Sequence, residues 1–211
     1  MKTIIIGKES LLTKHLYLYN KKSLIFSSRN KDDYLTISDA INKQKKVNLI
    51  FNNFYPSAHI NKITVKDYEG FYNQSILFNA KLFSKIKPNK INKIIYSSSS
   101  SVYNSIRKDY QFIDGNNRSL YSSTKIASEN LIYNFASKNK VKFLILRIFN
   151  MYSKEDDKFS IISKLYKSIN TKNEIKLFNN GENIRDYIYV KDVVKLINFF
   201  INKKKFEKFG L

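Results

Sequence analysis

Apolar runs and helix-patterned stretches alternate along this chain. Residues 3–6, TIII, are continuously apolar and stop at Gly7, which reads as a buried strand. A helical segment follows over roughly 9–19. SLIFSS reads as a second strand and YLTI as a third, while DAINKQKK suits a short helix with Asp39 near its start. VNLIFNNF is another buried strand. VKDYEGFYNQSILFNAKLFSKI has helical spacing of its apolar residues, and Pro88 follows its end. KIIYSSSSS reads as a strand running into a polar turn, LYSSTKIASENLIYNFASK as a helix, and KFLILRIFN as a strand. A helix near 159–169 and a strand near 174–178 come next. RDYIYVKDVVKLINFFINKKKFEKFGL then gives a strand, a helix and an extended run. Strands alternating with helices predict parallel pairing in an α/β fold with a doubly wound parallel sheet. Ligands of such sheets sit beyond the carboxyl ends of the strands, where Gly7, Ser99 and Asn150 all fall. There are no internal repeats and no linker rich in Pro or Gly.

Composition narrows the class. The 211 residues suit one moderate domain, or one domain with a small appendage, and 43% hydrophobic content is enough for a sizeable core. The chain has no cysteine, which excludes a disulfide framework and a thiolate metal site. His15 and His59 are too far apart and too unsupported to form a metal pair, so no metal is expected. The opening MKTIIIGKES is too short an apolar run for a signal peptide or a membrane span. A cytoplasmic protein without a membrane partner is the expectation. The formal charge of +21 is spread over the whole chain, and Lys, Asn and Ile are abundant together. That pattern suggests biased coding composition, with no specific nucleic-acid partner. The one dense cluster is Lys203, Lys204 and Lys205.

Candidate chemistry centres on SLYSSTK. Tyr121 and Lys125 are four apart, on one face of a helix. A lysine charge beside a phenol can lower its pKa, and a phenol so tuned can exchange a proton with a substrate hydroxyl. The run YSSSSSVY upstream ends a strand and offers a hydroxyl to the same oxygen.

Strand end, hydroxyl, then a helix with Tyr and Lys resembles the extended short-chain dehydrogenase/reductase family of nucleotide-sugar epimerases, dehydratases and reductases. KIIYSSSSSVY is similar to the family's strand with its catalytic Ser or Thr, matched by Ser99. YSSTK is similar to its Tyr-x-x-x-Lys. LRIFNMYS is similar to the strand that ends in Asn before the substrate region, matched by Asn150. GENIRDYIYVKDVV resembles the segment whose Arg contacts substrate phosphates, matched by Arg185. Asn73 in GFYNQSI matches an Asn that helps shape the active-site helix. The resemblance implies a Rossmann sheet over 1–151, with 186–205 returning to it, and a small, incomplete substrate-binding lobe from 152–185 and 206–211. It also implies hydride transfer between NAD or NADP and a nucleotide-diphosphate sugar. Tyr121 would move the hydroxyl proton, Lys125 would hold the phenol partly ionised and bind the nicotinamide ribose, and Ser99 would orient the oxygen. A homodimer is compatible with it.

The chain departs from that pattern at the dinucleotide turn. GKESLLT has Gly7 but places Ser10 and Thr13 where glycines are expected. Gly7, Ser10 and Leu11 are the residues expected at the pyrophosphate. SSRN ends the second strand without a carboxylate, and Arg29 there could accept a 2′-phosphate, a lean toward NADP. FNNFYPSAH lacks the small apolar residues common at that strand end. The altered turn supports a second reading, a non-catalytic relative that binds a nucleotide, a sugar or a protein. The family's lobe also continues beyond the point matched by Leu211. A truncated chain, or a second polypeptide, is therefore expected, with apolar surface around Phe199, Phe200, Phe206 and Phe209.

Overall fold

The computed structural model describes residues 1–30, 32–54, 64–103, 119–153, 160–171, 174, 178–182, 184–203 and 209–210. Its main sheet is entirely parallel. β1 (Lys2–Ile6), β3 (Val47–Phe51), β4 (Ile91–Ser99) and β5 (Lys142–Ile148) form the centre, flanked by β2 (Leu24–Phe26) and β8 (Phe209–Gly210) in the order β2-β1-β3-β4-β5-β8. The central strands are almost continuously apolar because helices cover both faces. Ile4, Leu49, Ile94 and Phe143 point to one face, with Ile37 and Ile41 of α2 (Asp33–Asn42), Leu82 of α4 (Phe78–Lys85) and Ile132 of α5 (Leu120–Lys138). Ile5, Ile50, Ile95 and Leu144 point to the other, with Leu12 and Leu16 of α1 (Leu11–Tyr19) and Val193 and Ile197 of α7 (Val190–Asn202).

YLTI is helix, not strand. Ile37 and Ile41 are four apart and fully buried, and Asp33 accepts hydrogen bonds from the backbone and side chain of Asn30 at the start of α2. The helix ends at Asn42, whose side chain donates to the Lys85 carbonyl and accepts from the Lys87 N–H, tying α2 to the end of α4. The long helical stretch is α3 (Val65–Phe71), a π-helical turn (Tyr72–Leu77) and α4 in unbroken succession.

After β5 the chain starts β6 (Asn150–Tyr152), which pairs parallel with β7 (Tyr187–Tyr189), and α6 (Ile161–Thr171) lies between them in sequence. The strand expected near 174–178 falls largely outside the described residues, and Phe178 opens a 3-10 turn. Phe209 and Gly210 pair with Leu144 and Ile145, so that segment joins the main sheet and not the lobe. Phe199 is exposed, Phe200 packs against the second core, and Phe206 lies outside the described residues.

Candidate active site

The carboxyl ends of β1, β3 and β4 meet the N-terminus of α1 on one side and α5 on the other. Gly7 closes β1 with φ +107°, and its N–H donates to the Phe26 carbonyl at 2.9 Å. A Cβ at Gly7 would lie 2.6 Å from the Asn52 carbonyl group and 2.7 Å from the Asn53 nitrogen, so only glycine lets the turn lie against β3. Ser10 caps α1 in extended conformation and its hydroxyl makes no capping hydrogen bond. No acidic residue occupies the first turn of α1. Thr13 is fully buried, but its bulk is accommodated by a polar relay: the Ser97 hydroxyl donates to Asn52 Oδ1, and Asn52 Nδ2 donates to Thr13 Oγ1 at 3.0 Å. One side-chain chain therefore links β4, β3 and α1.

Ser99, Tyr121 and Lys125 come together where α5 crosses the end of β4. The Ser99 hydroxyl lies near enough to the Tyr121 phenol to favour its ionised form. Burial raises the pKa of Tyr121, and the nearby Ser99 hydroxyl opposes that rise. This runs against the lowered phenol that the Tyr-Lys spacing suggests. The physical reason is the direction of Lys125: its Nζ donates to the Ser97 carbonyl at 2.8 Å and lies 5.8 Å from the Tyr121 ring centroid. Lys125 is itself buried, and burial pushes its pKa down to about 7, with Glu129 acting in the opposite sense.

Three residues of this site escape motif reading. Phe54, just past β3, lies 4.2 Å from Lys125 Nζ at its ring centroid and packs edge-on against Tyr121 at 4.8 Å. Glu129 sits one turn beyond Lys125 and is buried. It accepts from the Ser98 hydroxyl and takes Arg147 Nε and Nη2 at 3.2 and 2.9 Å. Arg147 stands beside Ser98 in register and stacks its guanidinium 5.0 Å from the Tyr103 ring centroid. The four-residue step that singles out Lys125 also reaches Glu129, and Arg147 is a charge inside an apolar strand. Phe54 carries no comparable signal.

The remaining predicted residues are more dispersed. Asn73 lies in the π-helical turn and donates to Glu69 at 3.1 Å, on its own helix. Arg29 is exposed just past β2, with no ion pair among the described residues. Asn150 is exposed, and both its backbone and side-chain nitrogens donate to the Asp186 carbonyl. Arg185, one residue earlier, is exposed, and its guanidinium donates to the Ile184 carbonyl at 2.9 Å. Asn150 and Arg185 therefore share one end of the β6–β7 pair. Beyond the other end lies a cavity of about 320 Å³ lined by Tyr152, Ser153, Ile162, Ser163, Tyr166 and Tyr189. Among the described residues no cluster of three His, Cys, Asp or Glu side chains could hold a metal, and no helix is long and apolar enough to cross a membrane.

Residues 20–210 match the model of the NAD dependent epimerase/dehydratase family. A curated relative, the dTDP-D-glucose 4,6-dehydratase of Dictyostelium discoideum, is 26% identical over 149 residues, covering 63% of this chain and 34% of that protein. The chain spans about a third of the length of the curated relatives it matches. Among solved structures, the UDP-glucose 4-epimerase of Thermotoga maritima with UDP-glucose superimposes with a TM-score of 0.80 at 19% identity, covering 100% of this chain and 76% of that one. The UDP-glucuronic acid 4-epimerase of Bacillus cereus, in complex with UDP-glucuronic acid and NAD, gives 0.76 at 17% identity with the same coverage. At such identities the structural likeness speaks for the fold.

Proposed function

The chain belongs to the NAD dependent epimerase/dehydratase family, and from that membership we propose that it acts on a nucleotide-diphosphate sugar by hydride transfer, with Ser99, Tyr121 and Lys125 as its acid–base set. The observation that carries this reading is the meeting of these three side chains at the carboxyl end of β4. A nicotinamide dinucleotide, NAD or NADP, supplies the hydride chemistry when bound. The residues at its site fit such a group. Gly7 leaves the backbone open, α1 offers its N-terminal N–H groups, and the Ser10 hydroxyl makes no capping hydrogen bond to the helix. Leu11 opens the helix beside them. The exposed Arg29 guanidinium suits a 2′-phosphate, although NAD is the dinucleotide bound in the Bacillus cereus epimerase.

Tyr121 Oη is the atom that takes a proton from, or returns one to, a sugar hydroxyl. The Ser99 hydroxyl shares that oxygen and orients it. Lys125 contributes a nearby positive charge that favours the phenolate, and its Nζ would hold the cofactor ribose. Asn73 shapes the helix flanking the site. Asn150 and Arg185 are proposed to hold the sugar and its diphosphate, because a planar guanidinium suits phosphate oxygens.

One observation favours a second reading, a binding module without turnover: the Phe54 ring covers the Lys125 ammonium. A single experiment separates the two. Assay the chain on UDP-, GDP- and dTDP-sugars with NAD and with NADP, and follow cofactor binding by thermal shift. Turnover that falls by about two to four orders of magnitude in Tyr121→Phe, with cofactor binding retained, is the expected result. Turnover unchanged in Tyr121→Phe would remove Tyr121 from the chemistry. Cofactor binding without turnover in the wild type would favour the binding module.

A further inference from the structure

Three consecutive serines at the end of β4 each face one turn of α5, and two of them are hydrogen bonded to it. The Ser97 carbonyl takes Lys125 Nζ, the Ser98 hydroxyl donates to Glu129, and the Ser99 hydroxyl lies beside the Tyr121 phenol. Two of these turns belong to the acid–base set. The third, Glu129, touches neither sugar nor cofactor in the proposed arrangement, yet it is a carboxylate only 4% exposed, with Arg147 locked on it through two hydrogen bonds. Burying such a pair is costly unless its geometry is fully satisfied. The structure meets that condition with three donors on one carboxylate.

We propose that Glu129 is a positioning residue of this site, supplying the negative charge on which the buried Lys125 ammonium depends. The groups around Lys125 leave no other source of that charge among the described residues. Phe54 and Tyr96 present rings 4.2 and 5.1 Å from Nζ, Ser97 presents a carbonyl, and Tyr121 lies one turn earlier on α5. Both phenols hold their protons, since burial raises each pKa. Arg147, from β5, is the opposing charge, held on the Glu129 carboxylate at 2.9 Å, while Lys125 and Glu129 are one turn apart on α5. Burial drives Lys125 to about 7, so the ammonium stands near its midpoint at neutral pH and a neighbouring charge decides its state. The inference rests on the assignment of Lys125 to the acid–base set, but its test needs neither cofactor nor sugar.

The test is a direct titration of Lys125 in the whole chain carrying [13Cε]lysine, followed by NMR and assigned with Lys125→Met. Arg147→Met leaves the Glu129 charge to Lys125 alone, and the Lys125 midpoint should rise. Glu129→Gln combined with Arg147→Met removes both members of the ion pair, strands neither a buried carboxylate nor a buried guanidinium, and should fold with Lys125 neutral over a wider pH range. There the midpoint should fall by about one pH unit or more. Ser98→Ala keeps both charges and should leave the midpoint unmoved, which separates charge from packing. A merely structural Glu129 predicts no opposed shifts. Equal midpoints in the wild type and the double variant would overturn the proposal, as would shifts of the same sign in Arg147→Met and the double variant. If Arg147→Met does not fold, the double variant against Ser98→Ala decides alone. A chain that bound no dinucleotide while Lys125 moved as stated would sink the proposed function and leave this inference standing.

Discussion

At the scale of single residues, the site holds a buried lysine that the fold does not favour. Lys125 has a folded-state pKa of about 7 against 10.5 for an ordinary lysine. The sign follows from proton counting. Between those two values the unfolded chain keeps a proton that the folded chain has released, so stability rises with pH across that window. Below about pH 7 both states are protonated and the full cost of burying the ammonium remains, on the order of 5 kcal/mol. Lys125→Met should therefore be more stable than the wild type near neutral and acidic pH, with the advantage shrinking toward pH 10. Part of the gain is offset because the Ser97 carbonyl loses its donor. Urea unfolding at about pH 6, 8 and 10 measures it. A difference between the two proteins that does not change with pH would show that the lysine is not held against burial.

At the scale of elements, the same chemistry appears away from the site with a structural purpose. Lys93, near the start of β4, is 4% exposed and sends Nζ to the carbonyls of Phe200, Ile201 and Lys203 at 2.8, 2.7 and 2.6 Å. A lysine from a strand thus caps the C-terminus of α7, where the last carbonyls lack partners and the helix dipole favours a cation. Lys93→Met should lower stability by about 2 kcal/mol and speed amide exchange in the last turn of α7, whereas the exposed Lys87→Met should do neither. Retained protection of that turn in Lys93→Met would contradict the cap. Which elements could be read from sequence follows from the same local logic. The central strands and α5 were legible because their apolar patterns extend over enough residues to fix a period. YLTI was misread because four residues cannot distinguish the two periods, and contacts with α4 settle it as helix. The π-helical turn was not legible, since one of its carbonyls, that of Gln74, is taken by Asn53 from the end of β3, twenty-one positions away. In the site, the Ser, Tyr and Lys positions stood out by motif and spacing. The direction of the Lys125 amine depends on Ser97 and Phe54, which only the fold brings to it.

At the scale of the whole molecule, charge and fold point to different ligands. The +21 formal charge would by itself suggest a nucleic-acid partner. The family, the parallel sheet and the helix N-terminus beside Gly7 instead favour a small phosphate-bearing ligand held at strand ends. The two differ in what salt should do. Scattered lysines neutralise nucleic-acid phosphates without reading bases, so affinity for a duplex should fall by about three orders of magnitude or more between 50 and 200 mM salt, and should be the same for unrelated sequences. A dinucleotide in a formed turn makes few phosphate contacts, and its affinity should change by about tenfold or less over the same range. Fluorescence anisotropy with two duplexes of different sequence, beside calorimetry with NAD and NADP, makes the comparison in one buffer series. Duplex binding that persists at 200 mM salt and distinguishes the two sequences would mean that the lysine excess forms an interface in its own right. Duplex binding lost at that salt, with dinucleotide binding retained, would identify the excess as solvated surface around a site built from uncharged hydroxyls, one buried lysine and the carboxylate behind it.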